Sequence, residues 1–163
     1  MLKKIKTGGA KKTKGRFTIV ASKYNARYVD AMLNAATALL TKSGAKEVQI
    51  IRVPGAFEIP VVVARVAETL DAPDAIICLG VILRGATTHA QVVSEIVSQQ
   101  LGDIAVRKQL PIIHEVLLLE NEQQARERCL SKTHNRGAEA AATAMEMAAL
   151  MARLPKWHDD VPF

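Results

Sequence analysis

Residues 75–80, Ala75-Ile76-Ile77-Cys78-Leu79-Gly80, form the stretch that decides the fold. The run has no polar face, whereas a strand with one solvated face alternates apolar and polar residues. A strand without a polar face is typical of a parallel sheet that is covered by helices on both sides. The stretch therefore predicts a central strand of an α/β domain, and Cys78 within it is expected to be a buried small hydrophobic residue.

Further strands and helices alternate on both sides of this central run. We predict strands at residues 17–21, 48–53, 75–80 and 111–119. We predict helices at residues 27–41, 58–70, 88–106, 122–130 and 138–153. Because strands that alternate with helices form right-handed βαβ units, the pattern predicts one three-layer α/β sandwich. Its core is a four-stranded parallel sheet, flavodoxin-like, with helices on both faces.

Length and composition are those of one globular domain. The chain has 163 residues, of which 49% are hydrophobic and 23% charged, so wholesale disorder is excluded. No apolar run approaches the ~18 residues that a membrane-spanning helix needs, and no secretory signal is visible. The two cysteines form no CxxC pair and the four histidines share no ligand spacing, so we expect neither a metal site nor a disulfide. A reducing cytoplasm is the expected location.

The positive charge is concentrated at the N-terminus. Residues 1–16 hold seven cations and no acid, and the remaining chain holds 15 cations against 16 acids. We predict a basic flexible arm at residues 1–16, the α/β domain at residues 17–154 and an irregular tail at residues 155–163. The arm is either simply solvated or able to touch phosphates or acidic partners. Since aromatic residues are only 4% of the chain, nucleic-acid binding is disfavoured as the main function.

Parallel sheets bind ligands outside the carboxyl ends of their strands, so the loops to search are residues 22–27, 54–58, 80–89 and 118–122. In the third of these loops, Gly85 permits close backbone approach, and Thr87 and Thr88 offer hydroxyls just before a helix. This combination favours a phosphate or another anion. His89 in the first helical turn can move protons near pH 7. The alternative is a histidine that only caps its helix.

Two other loops place an aromatic residue beside a polar one. Phe57 can stack on a flat ring, and Glu58 can accept hydrogen bonds from hydroxyls. The alternative is a buried Phe and a Glu that complements the helix dipole. Tyr24-Asn25 forms a similar pair after the first strand. The basic elbow at residues 126–137 is either a solvated helix end or an arginine clamp for a phosphate.

Five spaced motifs together resemble the lumazine synthase family over about residues 17–153. They are Tyr24-Asn25, Val53-Pro54-Gly55-Ala56-Phe57-Glu58-Ile59-Pro60, Arg84-Gly85-Ala86-Thr87-Thr88-His89, Glu122-Gln123 and Asn135-Arg136-Gly137-Ala138-Glu139-Ala140-Ala141. Each motif alone is a weak signal, whereas their joint order is highly specific.

The resemblance implies a transferase of the penultimate step of riboflavin biosynthesis. Such enzymes condense 5-amino-6-(D-ribitylamino)uracil with 3,4-dihydroxy-2-butanone 4-phosphate and release phosphate and two waters. The resemblance implies no metal or redox cofactor and no membrane or nucleic-acid partner. It implies pentamers with sites between adjacent subunits. Because the elbow shows no obvious insertion relative to shell-forming members, we expect a sixty-subunit icosahedral shell rather than a decamer.

The resemblance also assigns roles to individual residues. His89 matches the histidine credited with proton transfer, and Arg128 matches the arginine that holds the phosphate from the neighbouring subunit. Gly85, Ala86 and Thr87 match the phosphate-binding turn. The remaining matches form the pyrimidine and ribityl site, with His114 contributed by the neighbouring subunit: Tyr24, Asn25, Ala56, Phe57, Glu58, Val81, Ile82, Leu83 and His114.

The sequence departs from the family pattern at three places. Residues 90–92 are Ala-Gln-Val where the family has an aromatic, an acid and an aromatic, which bears on the orientation of His89. His114-Glu115 stands where the family has Phe-Gly; His114 can still stack on a ring, but it titrates. Arg136 replaces the usual Lys and preserves its charge.

Two alternatives follow from the same residues. The departures are compatible with a low-activity paralogue, or an engineered shell-forming or ligand-binding scaffold, of the same family. A phosphate-binding flavodoxin-type module would account for the fold but not for the set of motifs.

Overall fold

The computed structural model describes residues 14–155 of the chain. Four strands form the sheet: β1 (Arg16–Ser22), β2 (Glu47–Val53), β3 (Ala75–Leu83) and β4 (Ile112–Leu119). Five α-helices connect or follow them: α1 (Ala26–Lys42), α2 (Ile59–Ala67), α3 (His89–Lys108), α4 (Glu122–Ala125) and α5 (Arg136–Met151). A 3₁₀ turn (Ala56–Glu58) precedes α2, and a π turn (Arg126–Leu130) follows α4.

The four strands are all parallel and lie in the order β2-β1-β3-β4. The central position of β3 explains its apolar sequence, since residues 75–81 are buried on both faces. β2 and β4 are the edge strands of this sheet. The predicted α/β class, with a four-stranded parallel sheet and helices on both faces, is confirmed.

Two hydrophobic layers cover the sheet. On one face, α1, α5 and the π turn pack on alternate residues of β1 and β3, such as Ile19 and Ile77. On the other face, α2 and α3 pack on the intervening residues, such as Val20 and Cys78. Cys78 is fully buried, as its sequence context predicts.

Three predicted elements differ from those in the structure. β3 continues to Leu83, so the prediction of a loop from residue 80 was wrong; Val81, Ile82 and Leu83 are apolar and pack into the two layers. The predicted helix at residues 122–130 is the four-residue α4 followed by the π turn. The helix predicted to end at residue 70 ends at Ala67.

The predicted N-terminal arm and C-terminal tail lie almost wholly outside the described residues. Arg16, the last residue of the predicted arm, begins β1 and pairs with Glu47 of β2 in the strand register. Of the helices in residues 14–155, none is long and apolar enough to cross a membrane.

Candidate active site

Hydrogen bonds tie the loop after β1 to the loop after β2 and to the end of β3 at the carboxyl edge of the sheet. The Lys23 and Tyr24 amides donate to the carbonyl oxygens of Val53 and Pro54 at 2.8 and 3.1 Å, which continues the β1–β2 ladder into the loops. The Asn25 side-chain amide donates to the Val81 carbonyl at 2.7 Å. The loop after β1 is therefore fixed to the ends of both neighbouring strands.

Asn25 makes this tie in a left-handed backbone conformation, with φ 54° and ψ 41°. Asn is one of the few side-chain-bearing residues that tolerate this region. Asn25 was predicted from the resemblance to bind substrate, and the structure gives its amide group a role in holding the loop.

Two large aromatic side chains are exposed at this edge. Tyr24 is 75% exposed and Phe57, in the 3₁₀ turn, is 55% exposed. Aromatic rings exposed in this way can stack on a flat ligand ring. Phe57 is not buried, so the alternative of a core Phe is wrong for this residue.

Glu58 is half-buried beside Phe57 and has a fixed carboxylate. Its Oε2 accepts a hydrogen bond from the Gly55 amide at 2.8 Å. A Cβ atom at Gly55 would lie only 2.9 Å from that oxygen, so the glycine allows the contact. The remaining acceptor capacity of the carboxylate is available for a hydroxyl or an N–H of a ligand.

The turn between β3 and α3 is open. Gly85, Ala86, Thr87 and His89 are all exposed, and a Cβ atom at Gly85 would meet nothing within 4 Å in residues 14–155. Thr88 precedes α3 without a side-chain cap, so amides of the first helical turn remain available to an anion. His89 is the first residue of α3 and lies beside these amides.

Arg84 flanks this turn, and no role for it is predicted from the sequence. Its Nε donates to Glu120 at 3.0 Å and its Nη2 to Gln91 at 2.9 Å. The cation that directly precedes the open turn is thus already paired with a carboxylate. Gln91 lies in the first of the three departures from the family pattern, residues 90–92.

Of the predicted wall residues, Val81 contributes only backbone. Its side chain is buried under α1 and α5, and its carbonyl accepts the bond from Asn25. Ile82 and Leu83 are half-buried at the end of β3, on opposite faces of the sheet. Ala56 is half-buried at the start of the 3₁₀ turn.

His114 lies away from this edge within the same chain. It pairs in register with Cys78 of β3, five residues before that strand ends. Its Nε2 lies 2.9 Å from the Ser98 hydroxyl, which is about 14 Å along α3 from His89 at 1.5 Å per residue. Burial lowers the pKa of His114, and a hydrogen bond to its own backbone partly opposes this.

Arg128 also lies apart from His89 in one chain. The π turn that contains it packs against α1 and α5, on the face of the sheet opposite to α3. The Arg128 side chain is exposed, and within residues 14–155 no hydrogen bond or ion pair engages it. One subunit therefore assembles the aromatic rings, Glu58, the open turn and His89, but not His114 or Arg128.

Side-chain bonds define the elbow that contains Arg128. The Asn135 side chain caps α5 by accepting from the Gly137 amide at 2.8 Å, and it donates to the Cys129 carbonyl. A Cβ atom at Gly137 would lie 2.0 Å from the Met32 carbonyl oxygen, so α5 and α1 touch at this glycine. The elbow is thereby anchored to α1 on the C-terminal side of Arg128.

Below the elbow, Glu115 of β4 is buried and ion-paired. Arg136 donates to its two carboxylate oxygens through Nε at 3.0 Å and through Nη2 at 2.9 Å. Burial raises the pKa of Glu115 to about 7, although the Arg136 guanidinium opposes the shift. Burial likewise raises the pKa of the Cys129 thiol to about 11.

No group of three or more His, Cys, Asp or Glu side chains within residues 14–155 is arranged to hold a metal ion. What the carboxyl edge offers is a pair of exposed rings, a fixed carboxylate, an open anion turn and an imidazole. Such an edge is chemically suited to a flat, hydrogen-bonding ligand beside an anion.

Comparison with known proteins identifies the family. The sequence profile of the 6,7-dimethyl-8-ribityllumazine synthase family matches residues 14–152. The chain is 37% identical over 146 residues to the 6,7-dimethyl-8-ribityllumazine synthase of Desulfotalea psychrophila, covering 88% of this chain and 94% of that protein. It is 40% identical over 141 residues to the enzyme of the same name from Halorhodospira halophila, covering 85% and 90%. The chain belongs to the lumazine synthase family, which confirms the resemblance drawn from its motifs.

Proposed function

We propose that this chain condenses 5-amino-6-(D-ribitylamino)uracil with 3,4-dihydroxy-2-butanone 4-phosphate to give 6,7-dimethyl-8-ribityllumazine, phosphate and two waters. Family membership supports the reaction, and one structural observation supports the site. Exposed Tyr24 and Phe57 converge with the open turn and His89 at one edge of the sheet. The pyrimidine lies against the rings, and the phosphate lies at the turn.

Each chemical step at this site moves protons. The 5-amino group attacks the ketone and water leaves to form an imine; phosphate is then eliminated, and ring closure expels the second water. His89, at the start of α3 beside the phosphate turn, accepts and returns these protons, a contribution worth roughly 10²- to 10⁴-fold. Holding the amine and carbonyl in contact supplies much of the remaining acceleration.

The phosphate needs a cation that its own subunit does not supply. Arg84 beside the turn is held by Glu120 and Gln91, whereas Arg128 is exposed with no ion pair within residues 14–155. Arg128 lies on the other face of the sheet, so it reaches the turn only from a neighbouring subunit. His114 reaches the pyrimidine in the same way, by stacking. The site is accordingly shared between adjacent subunits of a pentamer, with pentamers assembled into a sixty-subunit shell in the cytoplasm.

The direct test mixes purified protein with both substrates and follows the absorbance of the lumazine product. We expect turnover well above the uncatalysed condensation. A rate equal to the uncatalysed one would refute the proposal, and tight binding of a ribityl-pyrimidine without turnover would favour the scaffold alternative.

Replacing His89 tests the proton-transfer role. We expect His89→Ala to lower kcat about 100-fold or more, since general acid–base help is lost. Stability should be unchanged, because the side chain is exposed. Added imidazole should restore part of the lost rate. An unchanged kcat would remove His89 from the mechanism.

Particle size in solution tests the shared site. Sedimentation should give a sixty-subunit particle built from pentamers. A decamer or free pentamer would correct the shell assignment, and an active monomer would exclude any site that needs Arg128 from a neighbour.

A further inference from the structure

Glu115 is a buried acid on the underside of the elbow that presents Arg128. Its side chain points to the α5 face of β4, and the residue is 7% exposed. It stands where the family pattern has a glycine. The proposed mechanism gives it no task, although it is the most buried carboxylate of residues 14–155.

Glu115 binds the guanidinium of Arg136, which is on the same elbow as Arg128. Arg136 is bound by both oxygens of Glu115, and its Nη1 donates to Glu139 at 2.7 Å. Three of the five donors of Arg136 are therefore directed at two carboxylates. Arg136 has little left to offer an anion, whereas Arg128 on the same elbow is exposed.

The groups that face Glu115 come from two elements. α5 contributes Arg136 and Glu139, and the π turn contributes Arg128 and Cys129. The Cys129 thiol stays neutral, because its pKa is raised to about 11. His114, the neighbour of Glu115 on β4, points to the opposite face of the sheet toward Ser98.

Protonation of Glu115 removes one negative charge from beside Arg136 and Arg128, so the elbow becomes more positive by one unit. We propose that the Glu115 carboxylate sets the affinity of the Arg128 elbow for a phosphate group, weakening it when ionised and strengthening it when protonated. This inference rests on the proposed role of Arg128 in the shared site.

Glu115 changes its charge near neutral pH, where the proposed change in anion affinity can be measured. Burial raises the pKa of its carboxyl to about 7, so its charge changes between pH 8 and pH 6. Anion affinity should consequently rise as the pH falls through this range. Glu115 acts through the field of the elbow and touches no substrate, so it is a positioning and tuning residue.

Sulfate is the appropriate probe, since its charge is constant between pH 6 and pH 8, whereas phosphate itself titrates there. Calorimetric titration of the full-length protein should show sulfate binding about two- to tenfold tighter at pH 6 than at pH 8. Glu115→Gln should bind at pH 8 as tightly as the wild type does at pH 6, with a weaker dependence on pH. Because the two proteins differ only at residue 115, the difference between them isolates Glu115.

Glu139→Gln is the matched control, since Glu139 also pairs with Arg136 but is half-exposed. It should tighten sulfate binding while keeping the wild-type pH dependence. Identical affinities of wild type and Glu115→Gln at pH 8 would overturn the inference. If Glu115→Gln fails to fold, the wild-type titration decides: no tightening between pH 8 and pH 6 overturns it.

Arg128→Ala separates this inference from the proposed function. Loss of sulfate binding in Arg128→Ala, together with an unchanged Glu115→Gln, contradicts the tuning role of Glu115 alone. Unchanged sulfate binding in Arg128→Ala contradicts the phosphate-binding role of Arg128, and with it the basis of the inference.

Discussion

The turn at residues 84–88 and the last three residues of the elbow, 135–137, have similar compositions, but their polar groups are used differently. Each segment lies at the N-terminus of a helix and contains a glycine, an arginine and a polar residue that can cap. At the elbow, Gly137 lies in close contact with the backbone of Met32, and the Asn135 side chain makes two hydrogen bonds with backbone groups. At the turn, Gly85 faces open space and Thr88 caps nothing. Polar groups that the chain satisfies itself support the fold, whereas those that it leaves open are available to a ligand.

The largest expected effect is at the closed elbow. Gly137→Ala should lower the free energy of unfolding by about 3 kcal/mol or more, because the new methyl group would lie 2.0 Å from the Met32 carbonyl oxygen and backbone must move. Urea denaturation measures the change. Gly102→Ala, in α3 with no atom of residues 14–155 within 4 Å of its new Cβ, is the control and should be neutral or stabilising. Equal changes in the free energy of unfolding of the two variants would contradict the difference drawn between a glycine in close contact, Gly137, and one without neighbours, Gly102.

The buried ion pair of the elbow should give stability a pH dependence. The pKa of Glu115 is about 7 in the folded chain and ordinarily 4.5, so the folded chain holds a proton that the unfolded chain releases between these values. The free energy of unfolding should therefore fall by about 2 to 3 kcal/mol as the pH rises from 4.5 to 7. Glu115→Gln should lack this component of the slope. Parallel curves for the two proteins would show that Glu115 ionises normally.

Arg128 is on the elbow but is exposed, so its replacement should affect ligand binding and not stability. Arg128→Ala should raise KM for the phosphorylated substrate about 10- to 100-fold while changing stability by less than about 0.5 kcal/mol. The control is Arg126→Ala on the same turn, since Arg126 is exposed and paired with Glu122 at 3.2 Å. An equal rise of KM in both variants would attribute the effect to general charge.

The smallest expected effect is at the open turn. Gly85→Ala should leave stability unchanged, since its Cβ meets nothing within 4 Å in residues 14–155. A methyl group there would nevertheless keep an anion from the backbone amides, so KM for the phosphorylated substrate should rise about three- to tenfold. Gly102→Ala again serves as the control, with KM unchanged. A loss of stability in Gly85→Ala would mean that this turn is closed by packing in the assembled protein.

The fold was predictable because the pattern of hydrophobic residues indicates which faces of the strands and helices are buried. The apolar stretch at residues 75–80 placed the central strand, and the alternation of strands and helices gave the parallel sheet. The end of β3 was not predictable, since Val81, Ile82 and Leu83 fit either a strand or an apolar loop. Only the covering helices distinguish the two.

The site was predictable only as a set of loops. Sequence placed Phe57 and His89 at strand ends, but it could not show that Arg84 is already paired with Glu120, 36 residues away. Nor could it distinguish Gly137 from Gly85, because the sequence around a glycine does not show whether another helix packs against it. The fork between Glu115 and Arg136 was likewise hidden by their separation of 21 residues.

His89 and Arg128 lie on opposite faces of the sheet in one chain. The proposed shared site requires that each subunit give an imidazole to one junction and a guanidinium to the next, so that contacts are head-to-tail and a closed ring has as many sites as subunits. Two impaired variants, His89→Ala and Arg128→Ala, would then complement each other when co-assembled. In an equal random mixture about a quarter of the junctions would pair an intact imidazole with an intact guanidinium, and those junctions would keep the wild-type kcat and KM.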